Sequence, residues 1–153
     1  MERIASRIAG GIPGPPITCR CRLLASDQIN AYSLPGGLIY VTQGLYDQLP
    51  SDACLAAVLA HELAHVVAKD SLKPWRVSAS TKLSREISAD CRGARYLAQA
   101  GYPTGSMIDL LHLIRPVLSE EWAAARMQAL VVQEKASARD MAVADTVHLP
   151  AAS

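Results

Sequence analysis

The sequence predicts an α+β fold, in which a small N-terminal β-sheet is followed by a mostly helical bundle. Two observations indicate this class. Short segments with alternating or β-branched apolar residues are confined to the part of the chain before Thr42, and the residues after it carry apolar side chains at helical spacing. The 153 residues suffice for one domain, so a single domain is expected over residues 1–153, with its core at about 17–140.

The predicted sheet contains three strands. Residues 1–9 are expected to form a short helix, which a glycine- and proline-rich stretch ends. Residues 17–24 alternate between apolar and polar side chains, as is typical of a strand. Residues 29–34 form a second extended segment, and the Pro-Gly-Gly turn at residues 35–37 leads into a third strand at residues 38–41.

The rest of the chain is predicted to be helical. Thr42 is placed to cap a short helix that ends near Leu49, and Ser51 is a suitable N-cap for a helix over residues 53–69. Residues 70–80 are expected to form a loop. Three further helices are predicted at residues 81–100, with Gly101 as the C-terminal cap residue, at residues 103–116, and from residue 119 onward.

The last predicted helix carries an apolar stripe that is expected to pack in the core. Its members lie at helical spacing and are Leu118, Trp122, Ala125, Ala129, Val132 and Ala136. Residues 144–153 are expected to form a disordered tail.

Composition excludes several classes of protein. The net charge is +1 without a basic block, which argues against a nucleic-acid partner. No apolar run approaches the roughly 20 residues of a membrane span. The four cysteines are too few for a disulfide scaffold and are expected to be free thiols in a reducing compartment. A cytoplasmic location is therefore predicted, and a membrane-associated or exported precursor is the alternative left open.

The segment His61-Glu62-Leu63-Ala64-His65 is the motif that points to chemistry. Residues four apart lie on the same face of a helix, so both imidazoles can reach one metal ion, with Glu62 beside them. Imidazole suits Zn²⁺, and a neighbouring carboxylate suits proton abstraction from water. The motif therefore predicts metal-assisted hydrolysis with one Zn²⁺ per chain, His61 and His65 as metal ligands and Glu62 as the catalytic base.

A zinc hydrolase needs a third protein ligand. Glu86 is the strongest candidate, because it lies on the next long helix. Asp90, one turn further along that helix, is placed to accept the remaining ring N–H of a ligand histidine. The alternative is a solvated pair of surface acids that interacts with Arg85 or Arg92.

Three blocks of sequence in the same order resemble peptidase family M48, a family of gluzincin-type zinc metallopeptidases. They are residues 29–41, with the Asn-Ala and Pro-Gly-Gly pattern of a strand pair, residues 57–66 around the paired histidines, and residues 86–90, which match Glu-x-x-x-Asp with alanine before the aspartate. The resemblance implies a zincin-like fold and a zinc-dependent metalloendopeptidase. It also implies that His61, His65 and Glu86 bind the zinc, that Glu62 is the catalytic base, and that Asp90 supports a ligand.

Two features depart from the family pattern. Members commonly continue after the motif helix with a basic residue and a histidine, where this chain has Lys69-Asp70. Many also carry a Thr-His-Pro segment late in the domain, which is not found after Arg115-Pro116. The chain also has no predicted transmembrane helix. It therefore resembles a minimal, soluble catalytic domain.

A peptide or protein substrate is expected to lie along the strand edge at Asn30 and Ala31, where an extended peptide can add as a further strand. A plain strand and turn is the alternative for these two residues. Several residues are candidates for the hydrogen-bond donor that stabilises the oxyanion, and the sequence does not choose among them. For His112, a position in the core is the simpler interpretation. The candidates are Tyr96, Tyr102, His112 and Arg126.

Two other functions compete with the peptidase. One is a catalytically silent or latent peptide-binding domain of the same fold, whose cleft is blocked by a terminal segment. The other is a deformylase-like metal amidase in which Cys54 or Cys91 replaces Glu86 as a ligand. Burial as small apolar residues is the simpler interpretation of both cysteines.

Overall fold

The structure, a computed structural model, describes residues 1–74 and 76–147, with side chains described as far as residue 139. The described part has the predicted α+β composition, a small sheet and a mostly helical remainder. Its elements are α1 (Glu2–Gly11), β1 (Arg20–Leu24), β2 (Ala31–Leu34), β3 (Leu38–Thr42), α2 (Gln43–Tyr46), α3 (Asp52–Ala68), α4 (Ala79–Gln99), α5 (Ser106–Ile114) and α6 (Glu120–Val147), with 3₁₀ turns at Asp70–Leu72 and Arg115–Val117.

The three strands form a mixed sheet in the order β1-β3-β2. β1 runs parallel to β3, and β2 runs antiparallel to it, so β2 lies at an edge of this sheet. The first strand begins at Arg20 and not at residue 17 as predicted, because its partner strand begins at Leu38, which lies opposite Arg20. The second likewise begins at Ala31 and not at residue 29.

The turn between β2 and β3 depends on its glycines. Gly36 and Gly37 have φ values of +88° and +84°, a region that L-residues with side chains avoid. A Cβ atom on Gly37 would lie 2.2 Å from the carbonyl oxygen of Thr18. The close approach lets the chain before β1 lie beside the turn and aligns β1 with β3.

Helix α3 is the centre of the fold. Every residue from Cys54 to Ala64 is buried, as expected of a helix that is apolar on all sides. It contacts α1, α4, α5 and the edge strand β2. Gly93 on α4 permits a close approach of α4 to α3, because a Cβ at this position would lie 3.2 Å from the backbone nitrogen of His61. The two motif-bearing helices therefore meet at the position of the paired histidines.

The helix caps follow the sequence predictions. The Thr42 side chain accepts a hydrogen bond from the N–H of Leu45, and the Ser51 side chain accepts one from Cys54. Gly101 follows the end of α4 with a φ of +73°. Helix α4 begins at Ala79, two residues before the predicted start. Ser78 causes this earlier start because its hydroxyl accepts from the N–H of Thr81.

The predicted core stripe of the last helix is wrong at its C-terminal end, whereas its first four members, Leu118, Trp122, Ala125 and Ala129, are half-buried. Val132 is 61% exposed and Ala136 is also exposed, whereas the buried side of α6 consists of Ala123, Arg126 and Leu130. The difference arises because a charged residue, Arg126, lies on the face that packs against α4. The buried face therefore lacks the apolar periodicity by which such faces are predicted. Helix α6 continues to Val147, so residues 144–147 of the predicted tail are helical, and residues 148–153 lie outside the described part.

No helix within residues 1–74 and 76–147 combines the length and the apolar character needed to cross a bilayer.

Candidate metal centre and substrate cleft

The structure brings His61, His65 and Glu86 together. The two histidines lie one turn apart on α3, and their Nε2 atoms are 3.1 Å from each other. Glu86, on α4, directs one carboxylate oxygen at each ring: Oε2 lies 3.4 Å from Nε2 of His61, and Oε1 lies 3.5 Å from Nε2 of His65. These three side chains form the one group of histidine, cysteine and acidic residues in the described part of the chain that is spaced to hold a metal ion.

The spacing of these atoms fits zinc. Zinc binds histidine nitrogen and carboxylate oxygen at about 2.0–2.2 Å in a tetrahedral arrangement, which places neighbouring ligand atoms about 3.3–3.6 Å apart. The two Nε2 atoms are 3.1 Å apart, close to this range, and each has one oxygen of the Glu86 carboxylate at 3.4 or 3.5 Å, so one ion between the three side chains is within reach of all of them. Three protein ligands would leave a fourth position for water or substrate, as in catalytic zinc sites.

A carboxylate contacts the outer nitrogen of each histidine. Asp90 Oδ1 lies 3.0 Å from Nδ1 of His61, and Asp70 Oδ2 lies 2.8 Å from Nδ1 of His65. A carboxylate at this distance accepts the Nδ1–H and leaves the Nε2 lone pair directed at the centre. The sequence predicted such a contact for Asp90 but not for Asp70, whose only signal was its place directly after the motif helix.

Arg126, from α6, compensates the charge of the acidic residues. Asp90 is completely buried and Arg126 is 4% exposed. The guanidinium donates to Asp90 through Nε at 2.7 Å and through Nη2 at 2.8 Å, and its Nη1 lies 3.5 Å from Oε2 of Glu86. The sequence suggested Arg126 only as a candidate oxyanion donor, whereas the structure pairs it with both acidic residues of α4.

The charges of this network reinforce one another. Burial lowers the pKa of His61, but hydrogen bonds to Asp90 and Glu86 outweigh it and raise the pKa to about 10. Burial raises the pKa of Asp90, but hydrogen bonds from Arg126 and His61 outweigh it and hold the pKa below its usual range. The same balance of causes lowers the pKa of Glu86. The centre therefore favours positive charge between the rings and ionised carboxylates around them.

Glu62 is placed at the cleft beside the three convergent side chains. It is 6% exposed and lines two adjoining cavities of about 300 and 340 Å³. Among the residues whose side chains are described, none forms a hydrogen bond or ion pair with its carboxylate. Both cavities share five residues, which are Asn30, Ala31, His61, Glu62 and Glu86.

The two cavities differ in polarity. Beyond the shared residues, the smaller one is lined by Arg126 and by apolar side chains, which are Ile29, Leu45, Val58, Leu110, Ile114, Val117 and Leu118. The larger one has polar side chains in addition to the shared residues, among them Tyr32, Ser33, His65, Asp70 and Ser71. The centre therefore lies at the junction of an apolar and a polar half of one cleft.

The edge strand β2 forms one wall of this cleft. The Ser33 hydroxyl donates to the carbonyl of Glu62 at 3.2 Å and ties the strand to α3. At the other end, the Asn30 N–H donates to the Thr42 hydroxyl at 3.1 Å. Ala31 begins the strand between these two anchors. Asn30 and Ala31 therefore line the cleft beside Glu62, and their contact with a substrate stays a prediction.

The other sequence candidates lie away from the centre. His112 is exposed, so its predicted core position is wrong: it lies on the outer side of α5. Tyr102 packs against the Arg7 guanidinium, 4.9 Å from its ring centroid, and neither Tyr102 nor Tyr96 lines the cavities described above. Cys54 and Cys91 are free thiols outside the ligand group.

Two histidines from one helix and a glutamate from the next form the ligand set that catalytic zinc has in several peptidases. Comparison with known families gives the same class. The family model described as Peptidase family M48 matches residues 1–83, which include His61, Glu62 and His65, whereas Glu86 and Asp90 lie beyond its end. The chain belongs to peptidase family M48.

Two curated relatives are metalloproteases by name. The chain is 50% identical over 42 residues to mitochondrial metalloendopeptidase OMA1 of Schizosaccharomyces pombe, covering 28% of this chain and 12% of that protein. It is 30% identical over 93 residues to metalloprotease LoiP of Escherichia coli, covering 61% of this chain and 36% of that protein. The aligned segments span about a third or less of these relatives. Family membership supports a metalloprotease function.

Proposed function

We propose that this chain is a zinc-dependent metalloendopeptidase with a zincin-like core. In this proposal His61, His65 and Glu86 bind one Zn²⁺, and Glu62 is the catalytic base. The observation that supports it most strongly is the convergence of the two Nε2 atoms and the Glu86 carboxylate at 3.1–3.5 Å. Membership of family M48 supports the same function.

The reaction is the addition of water across a peptide bond. Bound Zn²⁺ supplies a Lewis acid that polarises the scissile carbonyl and lowers the pKa of the attacking water. The Glu62 carboxylate takes a proton from that water as the water oxygen bonds to the carbonyl carbon. It then returns the proton to the nitrogen of the leaving amine as the C–N bond breaks.

The residues around the ligands keep them in place. Asp90 holds the His61 ring, and Arg126 holds Asp90, so that the ring orientation depends on a chain of buried contacts from α6 to α3. Such partners of ligand histidines fix the tautomer and increase the basicity of the bound nitrogen.

The substrate in this proposal is an extended peptide. It would add to the free edge of β2 at Asn30 and Ala31, with main-chain hydrogen bonds supplying affinity. The apolar cavity beside Glu62 would accept an apolar side chain next to the scissile bond. The single domain over residues 1–153 and the cytoplasmic location stay predictions.

The test compares the wild-type chain with Glu62→Gln. We expect one zinc per chain in both by elemental analysis, and cleavage of a mixed peptide library, read by mass spectrometry, only in the wild type. Loss of the base should reduce kcat by about 10²–10⁴-fold. Glu121→Gln, which removes one exposed carboxylate on α6, is the matched control and should leave cleavage unchanged.

The same measurements separate the competing functions. Zinc binding without turnover on any peptide would refute the peptidase and favour a latent peptide-binding domain. Zinc retained by Glu86→Ala but lost by Cys91→Ala would assign the third ligand to the cysteine and favour an amidase.

A further inference from the structure

Asp70 lies two residues after the end of the helix that carries the paired histidines. Helix α3 ends at Ala68, and Lys69 adopts a left-handed conformation with a φ of +53°. It is the one non-glycine residue in the described part of the chain with a positive φ. Strained backbone of this kind is concentrated at functional sites. The next residue is Asp70, whose carboxylate lies within hydrogen-bond distance of Nδ1 at the edge of the His65 ring.

The two oxygens of the Asp70 carboxylate have different partners, His65 on one side and Lys73 at the end of the turn on the other. The 3₁₀ turn Asp70–Leu72 has no side-chain cap. One carboxylate oxygen lies 2.8 Å from Nδ1 of His65, and the other accepts from the Lys73 ammonium at 2.6 Å. The side chain is 13% exposed, so it lies mostly out of water. Stabilisation of the turn alone would not require this arrangement.

Asp70 is the partner of His65 at Nδ1. His65 lies in the last turn of α3, and among the residues whose side chains are described its other close polar contacts are to His61 and Glu86 at the centre. A neutral imidazole without a partner at Nδ1 can place its proton on either nitrogen. Only the tautomer with the proton on Nδ1 leaves Nε2 free to bind a metal ion.

We propose that Asp70 is a positioning residue of the metal centre, which accepts the Nδ1–H of His65 and holds the Nε2 atom toward Glu86. This inference rests on the proposed function, in which His65 binds zinc. Asp70 then does for His65 what Asp90 does for His61, so that both histidines have a carboxylate partner, one from α4 and one from the turn after α3.

The experiment measures Zn²⁺ affinity of the full chain by competition with a chromophoric chelator. Asp70→Ala should raise the Kd about 10–100-fold, the usual effect of removing a hydrogen-bond partner from a ligand histidine. Asp70→Asn should restore most of the affinity, because its amide oxygen can accept the same hydrogen. Asp27→Ala, which removes an exposed carboxylate elsewhere, is the matched control and should bind zinc like the wild type.

Two further measurements exclude a general effect on folding. Far-UV circular dichroism in the presence of a chelator should be the same for all variants. The visible absorption of the Co²⁺-substituted protein should change in Asp70→Ala and not in Asp70→Asn, since it reports the geometry of the ligands.

Unchanged zinc affinity in Asp70→Ala would overturn the inference while leaving the proposed function intact. Equal losses in Asp70→Ala and Asp70→Asn would also overturn it, because the effect would then come from charge and not from the hydrogen bond. Failure of the wild-type chain to bind zinc would refute the proposed function itself.

Discussion

Removal of the Arg126 guanidinium should destabilise the fold strongly. The variant Arg126→Met keeps an unbranched apolar side chain of similar length and deletes the charge. It leaves Asp90, which is completely buried, with His61 as its remaining partner, and it removes the contact to Glu86. Because water cannot reach Asp90, the broken hydrogen bonds are not replaced by hydration.

The magnitude follows from the two short hydrogen bonds that Arg126 donates to the Asp90 carboxylate. Hydrogen bonds to charged groups contribute about 1.5–3 kcal/mol each, and breaking a buried ion pair from one side costs about 3–5 kcal/mol. We therefore expect the free energy of unfolding to fall by about 3–5 kcal/mol. For a domain of this size the Tm should fall by roughly 6–20 °C.

Urea denaturation followed by circular dichroism measures this change, with Arg115→Met as the control. Arg115 pairs with Glu120 at the surface, where an ion pair contributes about 0–1 kcal/mol. In a double-mutant cycle, Arg126→Met should lower the free energy of unfolding much less in the Asp90→Asn background than in the wild type, because asparagine carries no charge that would be left unpaired. A loss no larger than that of the control, or a coupling energy near zero, would refute this account of the buried pair.

Three further predictions concern the fold and the centre. Chelation of zinc should lower the Tm reversibly, because free zinc at a thousandfold excess over its Kd stabilises the folded chain by about 4 kcal/mol. An identical Tm with and without chelator would contradict the metal site. Gly93→Ala should lower the free energy of unfolding by about 1–3 kcal/mol through overpacking, because the added Cβ would lie 2.5 Å from Met107 Cε. The control Gly105→Ala places its Cβ where no atom lies within 4 Å, and it should be near neutral in thermal melts. Thr42→Val should cost about 1–3 kcal/mol in urea titrations, because it leaves the N–H of Asn30 without its hydroxyl acceptor; a neutral effect would show that this N–H finds another partner.

Local signals explain why much of the fold could be predicted from the sequence. The caps at Thr42 and Ser51 are short-range hydrogen bonds that depend on residues three apart, and the Pro-Gly-Gly turn depends on the freedom of glycine at positive φ. The convergence of His61 and His65 follows from helical periodicity alone. Their proximity to Glu86 required the packing of α3 on α4, which the sequence suggested through its resemblance to a family.

Contacts between distant elements could not be predicted in the same way. Arg126 contacts Asp90 from a helix 36 positions further along the chain. A charged residue on a buried face breaks the apolar pattern that identifies such faces, and for this reason the buried side of α6 was assigned wrongly. The role of Asp70 was hidden for another reason. Its position depends on the left-handed conformation of Lys69, which no local propensity predicts for a lysine.

The origin of Arg126 in the last helix has a consequence for the order in which the protein matures. During synthesis, both histidines and both acidic residues of α4 leave the ribosome before the arginine that compensates the buried charge has been added. Until the arginine is present, closing the interface between α3 and α4 would bury the Asp90 carboxylate with His61 as its partner, and burying a charge without its counter-charge costs free energy. Docking of α6 then completes the centre.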